Sequence, residues 1–268
     1  MDSALSRAII FALAITVTAL SGFSQEPARQ AATESSLPDA PQPSQKEIIL
    51  GMPNDILHDQ AGIWTSPARI RPKDFVWLAP LAVATGVSIA TDHHTMSSVV
   101  SHDPDFNNAN LNAANGLTGG LIAIPAGLYG LGLLHNNSHE RETGILSGEA
   151  VIDAYIVQEG LKLMTWRERP MRDNGRGLFF QGSAGTDSSF PSNHSIIAWS
   201  SAAVIASEYP SRWAQLGVYS MATGVSLTRV MGQQHFPTDV LIGSAAGWLI
   251  GRYVVRRHHR QSGHGRTY

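Results

Sequence analysis

From Phe75 onward, apolar blocks alternate with short polar breaks. The blocks are Val76–Thr91, Leu117–Leu134, Leu146–Trp166, Ser195–Ser207, Trp213–Met231 and Asp239–Val255. Each is longer than the roughly 4–8 residues of a strand, and none alternates with a period of two, so each is expected to be a helix. Leu146–Trp166 is amphipathic, with Glu149, Asp153, Glu159 and Lys162 set among Val151, Ile152, Tyr155, Ile156, Leu161 and Met164. The breaks Asp92–Asn110, His135–Thr143, Arg167–Pro191 and Tyr209–Ser211 hold the punctuation that ends helices. No internal repeat is present. The pattern predicts an all-α fold, a bundle of about six helices.

Upstream of these blocks the character changes twice. Residues 1–24 read as a secretory signal: Arg7 supplies the positive region, Ala8–Phe23 is uncharged, and Gly22 and Ser24 are small enough for cleavage before Gln25. An uncleaved anchor helix is the alternative, and both readings export the chain that follows. Residues 25–46, rich in Pro, Ser, Gln and Ala, offer too little apolar surface to offset the entropy of ordering and are expected to be a disordered linker. The folded body is expected over 47–255, opening with a short interfacial helix and a loop within Ile48–Arg71. A basic tail, 256–268, follows.

Composition narrows the classes. Charged residues are 15 % of the 268, well below the roughly one quarter of an ordinary soluble domain. Mean hydropathy is −0.06, low for a polytopic transporter. Only Val76–Thr91, Leu117–Leu134 and Asp239–Val255 approach the ~20 apolar residues of a membrane span. A formal net charge of −2 provides no basic field for nucleic acid. The absence of cysteine excludes thiolate metal sites and cysteine nucleophiles. Lysine occurs only at Lys46, Lys73 and Lys162, so the one within the helical body stands out.

Three clusters in the second half carry candidate chemistry. The first is Lys162-x6-Arg169-Pro170, where the proline drives Arg169 out of helical conformation. The second is Pro191-Ser192-Asn193-His194, a turn before an apolar helix, where a serine or asparagine cap leaves backbone N–H groups to receive an anion. The third is Thr228-Arg229-x5-His235-x3-Asp239, whose spacing lets a carboxylate hold an imidazole nitrogen. Each alone reads as ordinary structure: a snorkelling lysine, a cap, a structural His–Asp pair. Together they assemble three cations, a capped helix, two histidines and a carboxylate. That set can perform phosphoryl transfer without a metal, with cations neutralising phosphate oxygens, one histidine attacking phosphorus and another moving a proton.

This three-part pattern, within roughly residues 145–255, resembles the signature of the type 2 phosphatidic acid phosphatase and vanadium haloperoxidase superfamily. Two positions depart from it: Asn193 stands where the family typically has Gly, and Thr228 where it has Ser. Thr keeps the hydroxyl, and Asn tolerates positive φ better than other non-glycine residues. The resemblance implies His235 as a nucleophile forming a phosphohistidine, Asp239 orienting it, and His194 protonating the leaving oxygen and then activating water. It implies Lys162, Arg169 and Arg229 as a phosphate clamp completed by Ser192 and the Asn193 backbone N–H, with no metal and no cofactor.

The expected partner is a phosphorylated lipid or a small phosphoester, with a membrane nearby and the site extracytoplasmic. Other readings are a secreted acid phosphatase for soluble esters, a vanadium haloperoxidase, a lipid phosphotransferase and an inactive envelope scaffold. Three further signals point elsewhere. His135-x3-His139 has metal spacing without a third ligand, Asp92-His93-His94 reads as a helix-end cluster, and the glycines of 127–132 read as a close-packing device.

Overall fold

The computed structural model describes residues 45–171, 175–182 and 187–264. The expected signal segment and nearly all of the expected linker lie outside the described residues. Among those described there is no strand, and seven α-helices make an all-α bundle: α1 Gln45–Thr65, α2 Phe75–His94, α3 Pro104–Leu134, α4 Ser138–Thr165, α5 Asn193–Glu208, α6 Arg212–Met231 and α7 Pro237–His264. Six of them hold the six predicted blocks, except that Trp166 lies just past the end of α4. The seventh, α1, is longer than the short interfacial helix expected there, and 3-10 turns at Ser66–Arg69 and Pro72–Asp74 join it to α2.

The helices begin earlier than their apolar stripes because capping, not hydrophobicity, sets their starts. Asp103 accepts from the N–H groups of Asp105 (2.8 Å) and Phe106 (3.3 Å), with Pro104 in the first turn, so α3 starts thirteen residues before Leu117. Asn137 caps α4 through the N–H groups of His139 and Glu140, well before Leu146. At the other end, α7 runs through the segment expected to be a basic tail, as far as His264. Its basic residues are paired with acids: Arg257 with Asp55 and Asp59, His258 with Glu142, His259 with Glu208. These pairs tie the end of α7 to α1, α4 and α5, which is why the helix does not stop at Val255.

The main core gathers Leu146, Ala150, Ala154 and Val157 of α4, Ile196 and Val204 of α5, and Ile250, Val254 and Val255 of α7. At its centre α5 lies directly on α7. A Cβ added at Gly243, Gly247 or Gly251 would sit 2.9, 2.2 or 2.4 Å from the carbonyl oxygen of Ser192, Ile196 or Ser200 respectively. One small residue per turn lets the backbones touch, as in small-xxx-small helix pairs. The glycines expected to serve this purpose differ: Gly127 and Gly130 face open space, and only Gly132 of that run is tightly packed.

Two helical segments, Pro72–Val99 (containing α2) and Pro104–Leu134 (α3), are long and apolar enough to cross a membrane. On α2, Phe75, Val76, Val83, Val87 and Ile89 are exposed, as are Ile122, Leu131, Leu133 and Leu134 on α3. The third predicted near-span, Asp239–Val255, is not among these.

Candidate active site

The close α5–α7 contact brings the N-termini of these two helices together, and Ser192 N–H donates to the Asp239 carbonyl at 3.0 Å. The last turns of α4 and α6 deliver Lys162 and Arg229 to the same place. Lys162, Arg169, Arg229 and His235 all lie close enough to act electrostatically on His194, and Arg169 and Arg229 act on His235. The three sequence clusters thus converge on one site.

Lys162 and Arg229 are buried, and main-chain carbonyls hold Arg169. α4 ends at Trp166, whose left-handed backbone (φ 42°, ψ 47°) turns the chain back after Lys162. Lys162 is 3 % exposed. Arg169 donates from Nε to the Asp187 carbonyl (3.2 Å) and from Nη1 to the Gln234 carbonyl (3.4 Å), next to His235. The Nε of Arg229 is buried and, among the described residues, has no hydrogen-bond acceptor. Burial and then Arg169 push the Lys162 ammonium down to about 8. A buried donor and a destabilised cation are both relieved by an anion.

Ser192 caps α5, accepting from Ser195 N–H at 3.4 Å. Asn193 is the first helical residue and is not in the positive-φ region, so the conformational tolerance anticipated for it is not needed. The Thr228 hydroxyl bonds back to the carbonyls of Gly224 (2.7 Å) and Val225 (3.0 Å) within α6 and does not reach the site. His194 Nε2 lies 3.0 Å from Oδ1 of Asn115 on α3.

His235 is 1 % exposed and precedes α7. Its Nδ1 donates to the Ser189 carbonyl at 2.8 Å, while the nearer Asp239 oxygen is 3.7 Å away. The expected hydrogen bond from His235 to Asp239 is therefore not made, and a main-chain carbonyl fixes the tautomer instead. With Nδ1 protonated, Nε2 carries the lone pair. Burial above all, with help from Arg229 and Arg169, outweighs Asp239 and lowers the His235 pKa to about 4. Burial followed by Arg229 and His235 brings His194 down to about 4 as well. Burial alone would raise Asp239, but Arg167, the nearby His235 ring and the bond from Ser189 outweigh it and leave the carboxyl below its ordinary value.

Four residues at the site escape sequence reasoning: Asp92, Asn115, Arg167 and Ser189. Arg167 is 2 % exposed and donates to Asp239 Oδ1 and to Asp92 Oδ2, both at 2.6 Å. Ser189 Oγ donates to Asp239 Oδ2. The available signals were an arginine two positions before Arg169 and an acid closing an apolar block; neither spacing marks a partner seventy residues away.

A second buried group lies elsewhere. Asp59, Glu149 and Asp153 bring carboxylate oxygens within 4.8 Å of one another. Arg257 pairs with Asp59, and Gln60 donates to Asp153 Oδ1 at 2.8 Å. Asp153 is nine residues from Lys162 on α4, ~13 Å along the axis at about 1.5 Å per residue.

Comparison with known proteins finds similarity over the same part of the chain. Residues 144–262, a little under half of the chain, match the family model of the PAP2 superfamily and carry all of the predicted motif residues. Over the part that holds the site, the chain is thus similar to that superfamily. Over 65 residues the chain is 35 % identical to lipid A 1-phosphatase of Porphyromonas gingivalis, a stretch that is 24 % of this chain and 15 % of that relative's length. Among solved structures it is similar to a transmembrane PAP2-type phosphatidylglycerolphosphate phosphatase from Bacillus subtilis. That likeness has a TM-score of 0.43 at 17 % identity, covering 79 % of this chain and 96 % of the other.

Proposed function

We propose that this chain is a PAP2-type, metal-independent phosphatase that hydrolyses a phosphate monoester or pyrophosphate of a lipid through a phosphohistidine, on the extracytoplasmic side of a membrane. The observation that carries the reading is His235 itself: buried, neutral above about pH 4, with Nδ1 held by a carbonyl and three cations around its neighbour His194.

In this mechanism Lys162, Arg169 and Arg229 receive the phosphate oxygens, and the N–H groups at the start of α5 add a helix-end anion cradle. His235 Nε2 attacks phosphorus as the bond to the leaving oxygen breaks. His194 gives that oxygen its proton. Water then attacks phosphorus, the P–N bond breaks, and His194 takes the proton from the water. Burial first, and then the surrounding cations, favour the deprotonated form of His194. A bound phosphate dianion offsets them, so substrate binding itself favours the proton that His194 must donate. Support for a lipid substrate comes from the exposed apolar faces of α2 and α3 and from a relative whose name is a lipid phosphatase.

The test is release of inorganic phosphate by protein purified in detergent, with lipid phosphates and a small soluble ester compared, with and without vanadate. Vanadate-sensitive turnover of the lipid, lost in His235→Ala, is expected, together with an acid-labile phosphoenzyme in rapid-quench experiments. Equal turnover of the soluble ester would overturn the lipid assignment. A His235→Ala protein retaining more than a few per cent of activity would overturn the nucleophile.

A further inference from the structure

The expected motif residues leave one buried charge system unused. Arg167 bridges two carboxylates 147 positions apart in sequence: Nη1 on Asp239 Oδ1 and Nη2 on Asp92 Oδ2, both at 2.6 Å. Its remaining contacts fix it on every side. Nε donates to the Gly177 carbonyl (3.0 Å), and the ring faces of Phe179 and Phe236 lie 4.6 and 4.3 Å from its guanidinium carbon. Its own N–H donates to Ser188 Oγ (3.1 Å), and its carbonyl accepts from Ser189 N–H (2.8 Å). Gly177 is required for this: its φ is +63°, and a Cβ there would lie 2.4 Å from the Phe236 ring. Asp92 in turn accepts at Oδ1 from the N–H of Thr238, in the first turn of α7 (3.2 Å). Asp92, Arg167 and Asp239 are all almost fully buried.

We propose that Asp92 and Arg167 are a positioning pair for catalysis, a charged strut from α2 that fixes Asp239 and the start of α7, and through them His235. The strut rests on the phosphatase reading and extends it beyond the family-matched residues 144–262, because Asp92 lies outside them. Its logic is charge balance. Asp239 spends Oδ1 on Arg167 and Oδ2 on Ser189 Oγ and Phe236 N–H (2.8 Å), so its position and its ionised state are set before substrate arrives. Asp92 takes the other half of the guanidinium and limits how far Arg167 neutralises Asp239. Among the described residues Lys162 also acts on Asp239, Arg229 and Arg169 act on His235, and His235 acts on His194.

The two partners have opposite electrostatic consequences, which separates positioning from bulk stability. Arg167→Met removes a cation beside Asp239 and leaves the carboxylate stronger as a partner for His235, so the imidazole gains protons more readily. Asp92→Asn gives Arg167 wholly to Asp239, so the imidazole does not. The experiment is a pH titration of ring-labelled histidine by NMR on detergent-purified protein, run beside steady-state kinetics for Arg167→Met, Arg167→Lys and Asp92→Asn. The His235 midpoint should rise by one unit or more in Arg167→Met and stay level or fall in Asp92→Asn. The kcat should drop about tenfold or more in Arg167→Met with KM within about threefold, and be partly restored in Arg167→Lys. A His235 midpoint unmoved in Arg167→Met, or moved the same way in both variants, overturns the strut whether or not the protein is active. Should Arg167→Met fail to fold, Arg167→Lys and Asp92→Asn decide: kinetics and midpoint identical to wild type in both overturn it. Wild-type protein with no phosphatase activity overturns the functional reading alone, since the titration stands without turnover.

Discussion

Nδ1 of His235 lies 2.8 Å from the main-chain carbonyl of Ser189 and 3.7 Å from the closest oxygen of Asp239. The peptide, not the carboxylate, selects the tautomer that frees Nε2. Asp239 acts at one remove, through charge and through the bonds it accepts from Ser189, Phe236 N–H and Arg167.

Asp239→Asn should consequently keep the correct tautomer and lose less activity than His235→Ala. The expected loss in kcat is about 10²-fold, against complete loss for His235→Ala. The same change leaves Arg167 with Asp92 as its one carboxylate partner among the described residues and a neutral amide on its other side, a cost of about 1–3 kcal/mol. Its Tm should therefore fall clearly below that of His235→Ala. Steady-state kinetics and thermal melts in detergent check both halves; equal activity losses would restore Asp239 as the direct partner.

The low pKa of His235 sets the acid side of the rate profile. In the proposed mechanism only the neutral imidazole attacks phosphorus, and burial keeps it neutral down to about pH 4. The acid limb of kcat/KM, corrected for substrate ionisation, should lie near 4 and not near the ordinary histidine value of about 6.5. A limb near 6.5 would mean that the imidazole is hydrated and that the buried geometry does not hold in the working enzyme.

Asn115 fixes His194 from α3, outside the residues that carry the motif. Asn115→Leu has similar bulk and no hydrogen bond. It should lower kcat about tenfold with little change in KM, because the proposed proton donor loses its orientation and the proposed phosphate clamp is untouched. Unchanged kcat would remove Asn115 from the site.

How far this was legible in the sequence follows from the range of each signal. Apolar blocks reveal six helix bodies, because each is too long for a strand and lacks a strand's alternation. They missed the starts of α3 and α4, because Asp103 and Asn137 set those by capping and the first turns are solvated. The motif residues were legible because the helix ends that carry them are ordered along the chain. Arg167 and Asp92 were not, because a buried ion pair between distant segments leaves no spacing to read. The same holds for the basic run at 256–260, which looks like a tail until Asp55, Asp59, Glu142 and Glu208 are seen beside it.

The α5–α7 contact makes a stability prediction with an internal control. A methyl at Gly247 would lie 2.2 Å from the Ile196 carbonyl oxygen, whereas Gly127 faces open space. Gly247→Ala should destabilise the protein by about 1–3 kcal/mol by forcing the helices apart. It should also reduce activity, since Ser192 and Asp239 meet at the end of the same contact. Gly127→Ala should leave Tm unchanged or slightly raised, as alanine is the better helix former. Equal effects in thermal melts would refute the close contact.

The carboxylates beneath the site predict how stability varies with pH. Burial, and then Asp59, raise Asp153 from its ordinary 3.8 to about 7, and Glu149 is raised by the same two causes. A raised folded-state pKa contributes stability that is whole below about pH 4 and is lost as pH rises through about 7. Oδ2 of Asp59 and of Asp153 have no hydrogen-bond partner among the described residues. Asp153→Asn keeps the acceptor for Gln60, supplies an N–H to that acceptor-rich cluster and removes the titration. The difference in Tm, variant minus wild type, should be near zero or negative at pH 4.5 and positive at pH 8, worth at most a few kcal/mol. His194 and His235, whose lowered pKa values make stability fall toward acid, act in the opposite direction but equally in both proteins, so the difference isolates Asp153. A difference in Tm that does not change with pH would show that Asp153 is ionised in the folded protein and balanced by Arg257.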